Sequence, residues 1–166
     1  MRRRAARTAA YLPPSPTPAR ADAPVPTLPP ARLDGVVETA LYVDDLPRAR
    51  AFYAGVLGCA PMLDTPRLVA LGVAAGSVLL LFRRGATEAA LPSPGGLVPG
   101  HGGRGVQHLA FAVAADAVPA WLARLEAAGV PVESRVRWPR GGESVYVRDP
   151  DGHSVELVTP GLWDVY

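Results

Sequence analysis

The sequence predicts an α+β fold in which two tandem βαβββ modules form a cupped mixed sheet around a shared cleft. Three observations predict it. A strand, a helix and three short strands follow one another twice along the chain. The two runs superimpose at an offset of 70 residues, which places Val43 on Val113, Leu41 on Phe111 and Phe52 on Leu122. A segment with seven glycines and three prolines, 84–105, stands between them as a connector.

The elements follow in order. Residues 36–43 are apolar and β-rich and read as a strand. Asp44 and Asp45 offer a helix N-cap and Pro47 suits a first helical turn. Ala49, Phe52, Tyr53, Val56 and Leu57 recur at helical spacing, and Gly58 ends the run. Strands are expected at 59–63, 67–73 and 76–83. After the connector, 106–113 alternates as a strand, and Asp116 is placed to cap a helix carrying Val118, Leu122, Leu125 and Ala128, closed by Gly129. The last strands are expected at 130–137, 143–148 and 153–158, with Asp149-Pro150-Asp151-Gly152 as the final turn. The chain thus divides into an Arg-, Pro- and Ala-rich extension over 1–33, one domain over 34–160 (module 1 at 34–83, connector 84–105, module 2 at 106–160) and a tail at 161–166. The extension has too little apolar surface to order itself; a basic interaction tail is the sharper reading of it.

Strand side chains alternate between faces with period two. Leu109, Phe111 and Val113 belong under the helix of the second module, which leaves His108, Ala110 and Ala112 opposite. Thr39, Leu41 and Val43 take the helix side of the first module, and Glu38, Ala40 and Tyr42 the other. In the closing strand Val155 and Leu157 pack inward, while Ser154, Glu156 and Val158 do not. Parity therefore sends Glu38, His108 and Glu156 to the faces away from the helices, and the offset makes Glu38 and His108 equivalent. Two carboxylates and an imidazole in a low-dielectric cleft are costly unless paired or metal-bound. The expectation is a metal-binding cleft in which these three heads converge on one divalent ion, Fe²⁺, Mn²⁺, Ni²⁺, Co²⁺ or Zn²⁺. Taken singly, each has a plainer reading: Glu38 a solvated edge residue, His108 a hydrogen-bonded structural histidine, Glu156 an arginine partner. Tyr42 and Tyr146 share the cleft parity, Tyr146 as a catalytic hydrogen-bond donor with Glu156 and Tyr42 as a substrate contact, or else both as packing residues. Arg137, Trp138 and Arg140 precede Gly141-Gly142 and form a cluster able to grip an anionic or aromatic substrate, or else a surface turn. His101, in the connector, reads as an exposed loop histidine or a lid residue.

Composition removes several function classes. All 17 basic side chains are arginine, so neither a Schiff-base lysine nor a P-loop lysine exists. The formal charge is only +2, with much of the positive excess in the first 20 residues, which gives nucleic-acid binding little support. No apolar run reaches the length of a membrane span. Met1-Arg2-Arg3-Arg4 opens like a signal peptide, but prolines from Pro13 interrupt any hydrophobic segment, so a cytoplasmic protein is expected. Cys59, the single cysteine, is expected to be a buried, inert thiol.

The motifs resemble one family. Leu41-Tyr-Val-Asp-Asp-Leu46, Ala51-Phe-Tyr53 and Leu57-Gly58 are similar to the first module of the vicinal oxygen chelate (VOC) superfamily. Gln107-His-Leu-Ala-Phe-Ala-Val113 and Leu125-Glu-Ala-Ala-Gly129 are similar to the second, and Val147-Arg-Asp-Pro-Asp-Gly-His-Ser-Val-Glu-Leu157 to its closing hairpin. The resemblance covers residues 34–160 and includes glyoxalase I, fosfomycin-resistance enzymes, extradiol dioxygenases, methylmalonyl-CoA epimerase and bleomycin-resistance proteins. It implies metal ligands on the first and last strands of each module: Glu38 where His or Gln is usual, His108, and Glu156. The fourth position, a carboxylate in glyoxalase I, falls on Leu79 or Leu80. The implied activity is metal-dependent lyase, isomerase or transferase chemistry on a small oxygen-rich molecule. The alternatives are an Fe-dependent extradiol-type dioxygenase and a metal-free binding protein of the bleomycin-resistance kind. A homodimer is compatible with the resemblance.

Overall fold

A computed structural model describes residues 31–74 and 76–166. The expectations for the extension up to residue 30 lie outside the described residues. Strand β1 (Glu38–Val43) leads into α1 (Leu46–Arg50), which continues as one wider, π-helical stretch, Ala51–Val56. The sequence suggested a single α-helix here. The start is as expected: Asp45 accepts the Arg48 N–H at 2.9 Å and Pro47 occupies the first turn, a cap worth about 1 kcal/mol. Gly58 ends it at φ +79°, where a side chain would be strained. Strands β2 (Ala60–Asp64), β3 (Leu68–Ala74) and β4 (Ser77–Arg83) complete the first module.

The connector holds a short hairpin, β5 (Leu91–Ser93) and β6 (Gly96–Val98), which its Gly- and Pro-rich composition did not signal. The second module repeats the first with β7 (His108–Ala112), α2 (Val118–Ala127), β8 (Val132–Arg137), β9 (Glu143–Arg148) and β10 (Ser154–Val158). Asp116 does not cap α2. It falls inside a 3-10 turn, Ala115–Ala117, that precedes the helix, and the cap position is Ala117 with no side-chain bond.

The two sheets have one topology. Their strand orders are β1-β4-β3-β2 and β7-β10-β9-β8, with the first strand parallel to the last and the rest antiparallel. The duplication extends to register: Ala40 lies opposite Leu80 as Ala110 lies opposite Glu156. Both helix-bearing faces feed one core. Leu41, Val43, Leu79 and Leu81 of the first module share a cluster with Val145, Val147, Val155 and Leu157 of the second, all nearly inaccessible to solvent. Tyr53, wholly buried, spans the two: its ring packs 6.4 Å from Phe111 and its hydroxyl donates to Asp149 Oδ2 at 2.9 Å. Arg124 of α2 reaches the carbonyls of Gly55 and Val56.

The modules are also tied by hydrogen bonds from Tyr42 of β1 to the residues just before β7 and β10. The Tyr42 N–H donates to Gln107 Oε1 at 3.0 Å, and the Gln107 N–H donates to His153 Nδ1 at 3.0 Å. Since Nδ1 accepts, the ring proton sits on Nε2, which donates to the Tyr42 carbonyl at 3.1 Å. At the far end of the seam, residues 36–39 and 109–112 line a cavity of about 360 Å³. Tyr42, near the end of β1, is thus tied to the residues that precede β7 and β10, while Glu38, at its start, borders the cavity.

Candidate functional site

The open face of the second module carries the densest polar chemistry. β10 stands between β7 and β9, so Glu156 is flanked by Ala110 on one side and Tyr146 on the other. Alanine at 110 leaves room above the strand. Glu156 is 3% exposed, and its Oε2 lies 3.2 Å from His108 Nε2. The other imidazole nitrogen, Nδ1, lies 3.4 Å from the Ser154 hydroxyl. Oε1 accepts a short hydrogen bond from Ser144, which in turn accepts from the Trp138 indole N–H at 2.7 Å. The Tyr146 ring is 6.3 Å from the His108 ring. Burial first, and the neighbouring Glu156 carboxylate next, raise the Tyr146 phenol pKa above its ordinary range.

The structure therefore brings His108, Glu156 and Tyr146 together and adds Ser144 and Trp138. Ser144 escaped the sequence reading although parity marks it: it is two residues from Tyr146 on β9 and shares its face. Trp138 turns inward, while its expected partners do not. Arg140 is engaged with Asp164 at the surface and Arg137 stands exposed at the end of β8. The Arg-Trp-Arg cluster is thus not one grip.

Glu38 lies elsewhere. It is exposed on β1, at the rim of the cavity lined by residues 109–112, and no hydrogen bond or ion pair joins it to His108 or Glu156 among the described residues. The expected convergence of three heads is not met within one chain: among the described residues, no group of three or more His, Cys, Asp or Glu is placed to hold an ion. The reason is the seam. Glu38 opens β1 beside the cavity that residues 109–112 line, whereas the tie between the modules, Tyr42 with Gln107, is at the other end of β1. The register also decides the fourth position. Leu80 is the counterpart of Glu156, and it is apolar.

Tyr42 is buried under the connector rather than open to a cleft. Its hydroxyl lies 2.6 Å from His101 Nδ1, and the His101 ring packs on Phe82 at 4.8 Å. Two bonds hold His101 there: its N–H donates to the Thr87 carbonyl and its carbonyl accepts from the Thr87 hydroxyl, both at 2.8 Å. His101 is an anchor of the connector, a role the loop composition did not reveal. Cys59 is buried as expected, and burial pushes its thiol pKa up.

The His108–Glu156 pair passes a partial fit test for a metal. With bonds of about 2.1 Å, neighbouring donors stand about 3.0 Å apart in an octahedron and about 3.4 Å in a tetrahedron. The observed 3.2 Å lies between. One nitrogen and one oxygen are two donors, however, and a protein site ordinarily supplies at least three.

Comparison with known proteins gives the context. A family model described as Glyoxalase/Bleomycin resistance protein/Dioxygenase superfamily matches residues 35–157. A crystal structure of lactoylglutathione lyase from Agrobacterium tumefaciens is 39% identical, with a TM-score of 0.74, and the match covers 81% of this chain and 99% of that one. A glyoxalase-related enzyme from Fulvimarina pelagi is 28% identical over 79% of this chain and 91% of that one, with a TM-score of 0.59. The metallothiol transferase FosB of Bacillus licheniformis is 38% identical over 58 residues, which span 34% of this chain and 38% of that protein. No helix among the described residues is long and apolar enough to cross a membrane.

Proposed function

The chain belongs to the Glyoxalase/Bleomycin resistance protein/Dioxygenase superfamily, and from that footing we propose that it is a metal-dependent enzyme acting on a small oxygen-rich molecule by lyase, isomerase or transferase chemistry. The observation that carries this reading is the buried Glu156 carboxylate, held from behind by Ser144, with Oε2 beside an exposed His108. The structural match to a protein named lactoylglutathione lyase supports the lyase direction. Leu80 in place of a fourth donor distinguishes this chain from the four-ligand glyoxalase set.

His108 and Glu156 hold the ion in this proposal, and Glu38 of a second copy supplies the third donor. Support comes from two incomplete half-sites: one face offers His108 and Glu156, the other offers Glu38, and both His108 and Glu38 are exposed. A homodimer that sets the first module of one copy against the second module of the other completes the set. A divalent ion bound there supplies Lewis acidity that polarises a substrate oxygen. The chain's own groups do the rest. Tyr146 keeps its proton and donates a hydrogen bond to a substrate oxygen. Glu156, with Ser144 stabilising its charge at Oε1, would use Oε2 for the ion and could take a substrate proton there only when Oε2 is released from it.

The test is elemental analysis with sedimentation of the wild type beside Glu38→Ala, His108→Ala and Glu156→Ala. The expected result is a dimer with about one divalent ion per site, and a loss of affinity of roughly 100-fold or more in each variant, since changes beyond the ligands alone already cost about 10–100-fold. Equal metal content in all four proteins would remove the enzyme reading. The metal-free binding protein would then stand in its place, a reading favoured by the two-donor count within one chain. O₂ uptake on a catechol by an Fe²⁺-loaded wild type would move the activity to the dioxygenase alternative.

A further inference from the structure

Behind Ser144 stands Trp138, for which the chemistry above gives no role. Trp138 follows β8 directly, in the tight turn to β9. Its N–H bonds the Gly142 carbonyl at 2.8 Å and its carbonyl takes the Gly141 N–H at 2.9 Å. Gly141 sits at φ +95°, a conformation that suits glycine. The turn folds the indole back over β9, where Nε1–H donates to Ser144 Oγ at 2.7 Å. Ser144 is fully buried and donates in turn to Glu156 Oε1. A hydroxyl has one proton and two lone pairs, and an indole N–H can only donate. Trp138 therefore occupies a lone pair of Ser144 and leaves the serine proton directed at the carboxylate. Both bonds thus run one way, from the indole through the hydroxyl to the carboxylate.

We propose that Trp138 and Ser144 are positioning residues for Glu156: they tie Oε1 to the protein, so that Oε2, 3.2 Å from His108 Nε2, is the single oxygen offered to the open face. The inference rests on the reading of His108 and Glu156 as ligands. Without the tie, the carboxylate must be ordered at the moment of binding, and that ordering lowers affinity.

The test uses the full chain with Trp121→Phe and Trp163→Phe, which leaves Trp138 as the single emitter of the three tryptophans. In the metal-free protein, Glu156→Gln is expected to shift the Trp138 emission, because Ser144 then faces an amide. In Mn²⁺ titrations, Ser144→Ala is expected to raise the dissociation constant about 10–100-fold. Trp138→Phe, read by Mn²⁺ spin resonance, raises it by less, and adds nothing in the Ser144→Ala background. Circular dichroism confirms that each variant is folded; Trp138 is only half-buried, so its replacement keeps the arm informative. Unchanged affinity in both variants, or strictly additive effects, would overturn the proposal. An emission blind to Glu156→Gln overturns it as well, whatever the ion does. If the emission responds but no Mn²⁺ is taken up, the bonded chain stands and the metal reading falls.

Discussion

At the scale of single residues, Tyr53 is the side chain on which both halves of the core depend. Burial, then the charge and hydrogen bond of Asp149, push its pKa far above the ordinary value of 10.0. The sign follows. In the unfolded chain the phenol ionises near 10.0, and in the folded chain it stays neutral. Its contribution to stability is complete below pH 10 and is lost as pH rises beyond that, by up to about 1.4 kcal/mol per pH unit. Tyr53→Phe should cost about 1–3 kcal/mol at neutral pH, since Asp149 Oδ2 loses a donor, and should flatten the decline above pH 10. Urea unfolding of both proteins at pH 8 and pH 11 measures it; an identical alkaline slope in the variant would exclude Tyr53 as its source. Cys59 belongs to the same scale. With its thiol buried and neutral, alkylation by iodoacetamide is expected to run with the fraction of unfolded chain, and fast labelling under native conditions would contradict that.

At the scale of elements, the connector is more structured than its composition implies. Thr87 and His101 close its base, and Gly103 lies so near the Tyr42 ring that an added Cβ would stand 2.4 Å from Cδ2. Gly100 is tighter still, 2.2 Å from the Glu88 carbonyl oxygen, where backbone must move. Gly100→Ala is therefore expected to cost about 1–3 kcal/mol and to loosen the 87–101 closure, visible as a lower melting temperature and as faster amide exchange at His101. A variant as stable as the wild type would show that the connector is not held there. Period-two alternation made the inner strands legible, because β4 and β10 bury one face in the core; β2 and β8, at the sheet edges, are exposed along nearly their whole length. The β5–β6 hairpin was not legible, since three-residue strands rich in Pro and Gly carry no period. Asp116 misled for a similar reason: capping chemistry recurs in 3-10 turns. At the site, parity placed His108, Glu156 and Tyr146 on one face correctly. It could not say how the modules are set against each other, and the position of Glu38 depends on that.

At the scale of the whole molecule, two copies of one topology are bound by a shared core and by the contact of Tyr42 in β1 with Gln107 and His153. His153 is fully buried; its Nε2 crosses that contact to the Tyr42 carbonyl, and its Nδ1 takes the N–H of Gln107, whose own side chain crosses to Tyr42. His153→Ala removes an acceptor from the Gln107 N–H and a donor from the Tyr42 carbonyl, and leaves a void. The expected cost is about 2–4 kcal/mol with a single cooperative transition, because the common core keeps the modules from melting separately. Two resolved transitions in calorimetry would mean that this contact, and not the core, unites them.

The one-sided stitch has a mechanical consequence. Above the shared core, edges tied at one end leave the other end the freer to move. Here the tied end is Gln107 and His153, and the other carries Glu38, so the acid proposed as a third metal donor lies where the two edges are least held together. Neither sheet need lose a ladder bond for such motion. Exchange broadening confined to residues 36–39 and 109–112 in relaxation-dispersion spectra is the signature expected of it, and uniform rigidity along both strands would rule it out.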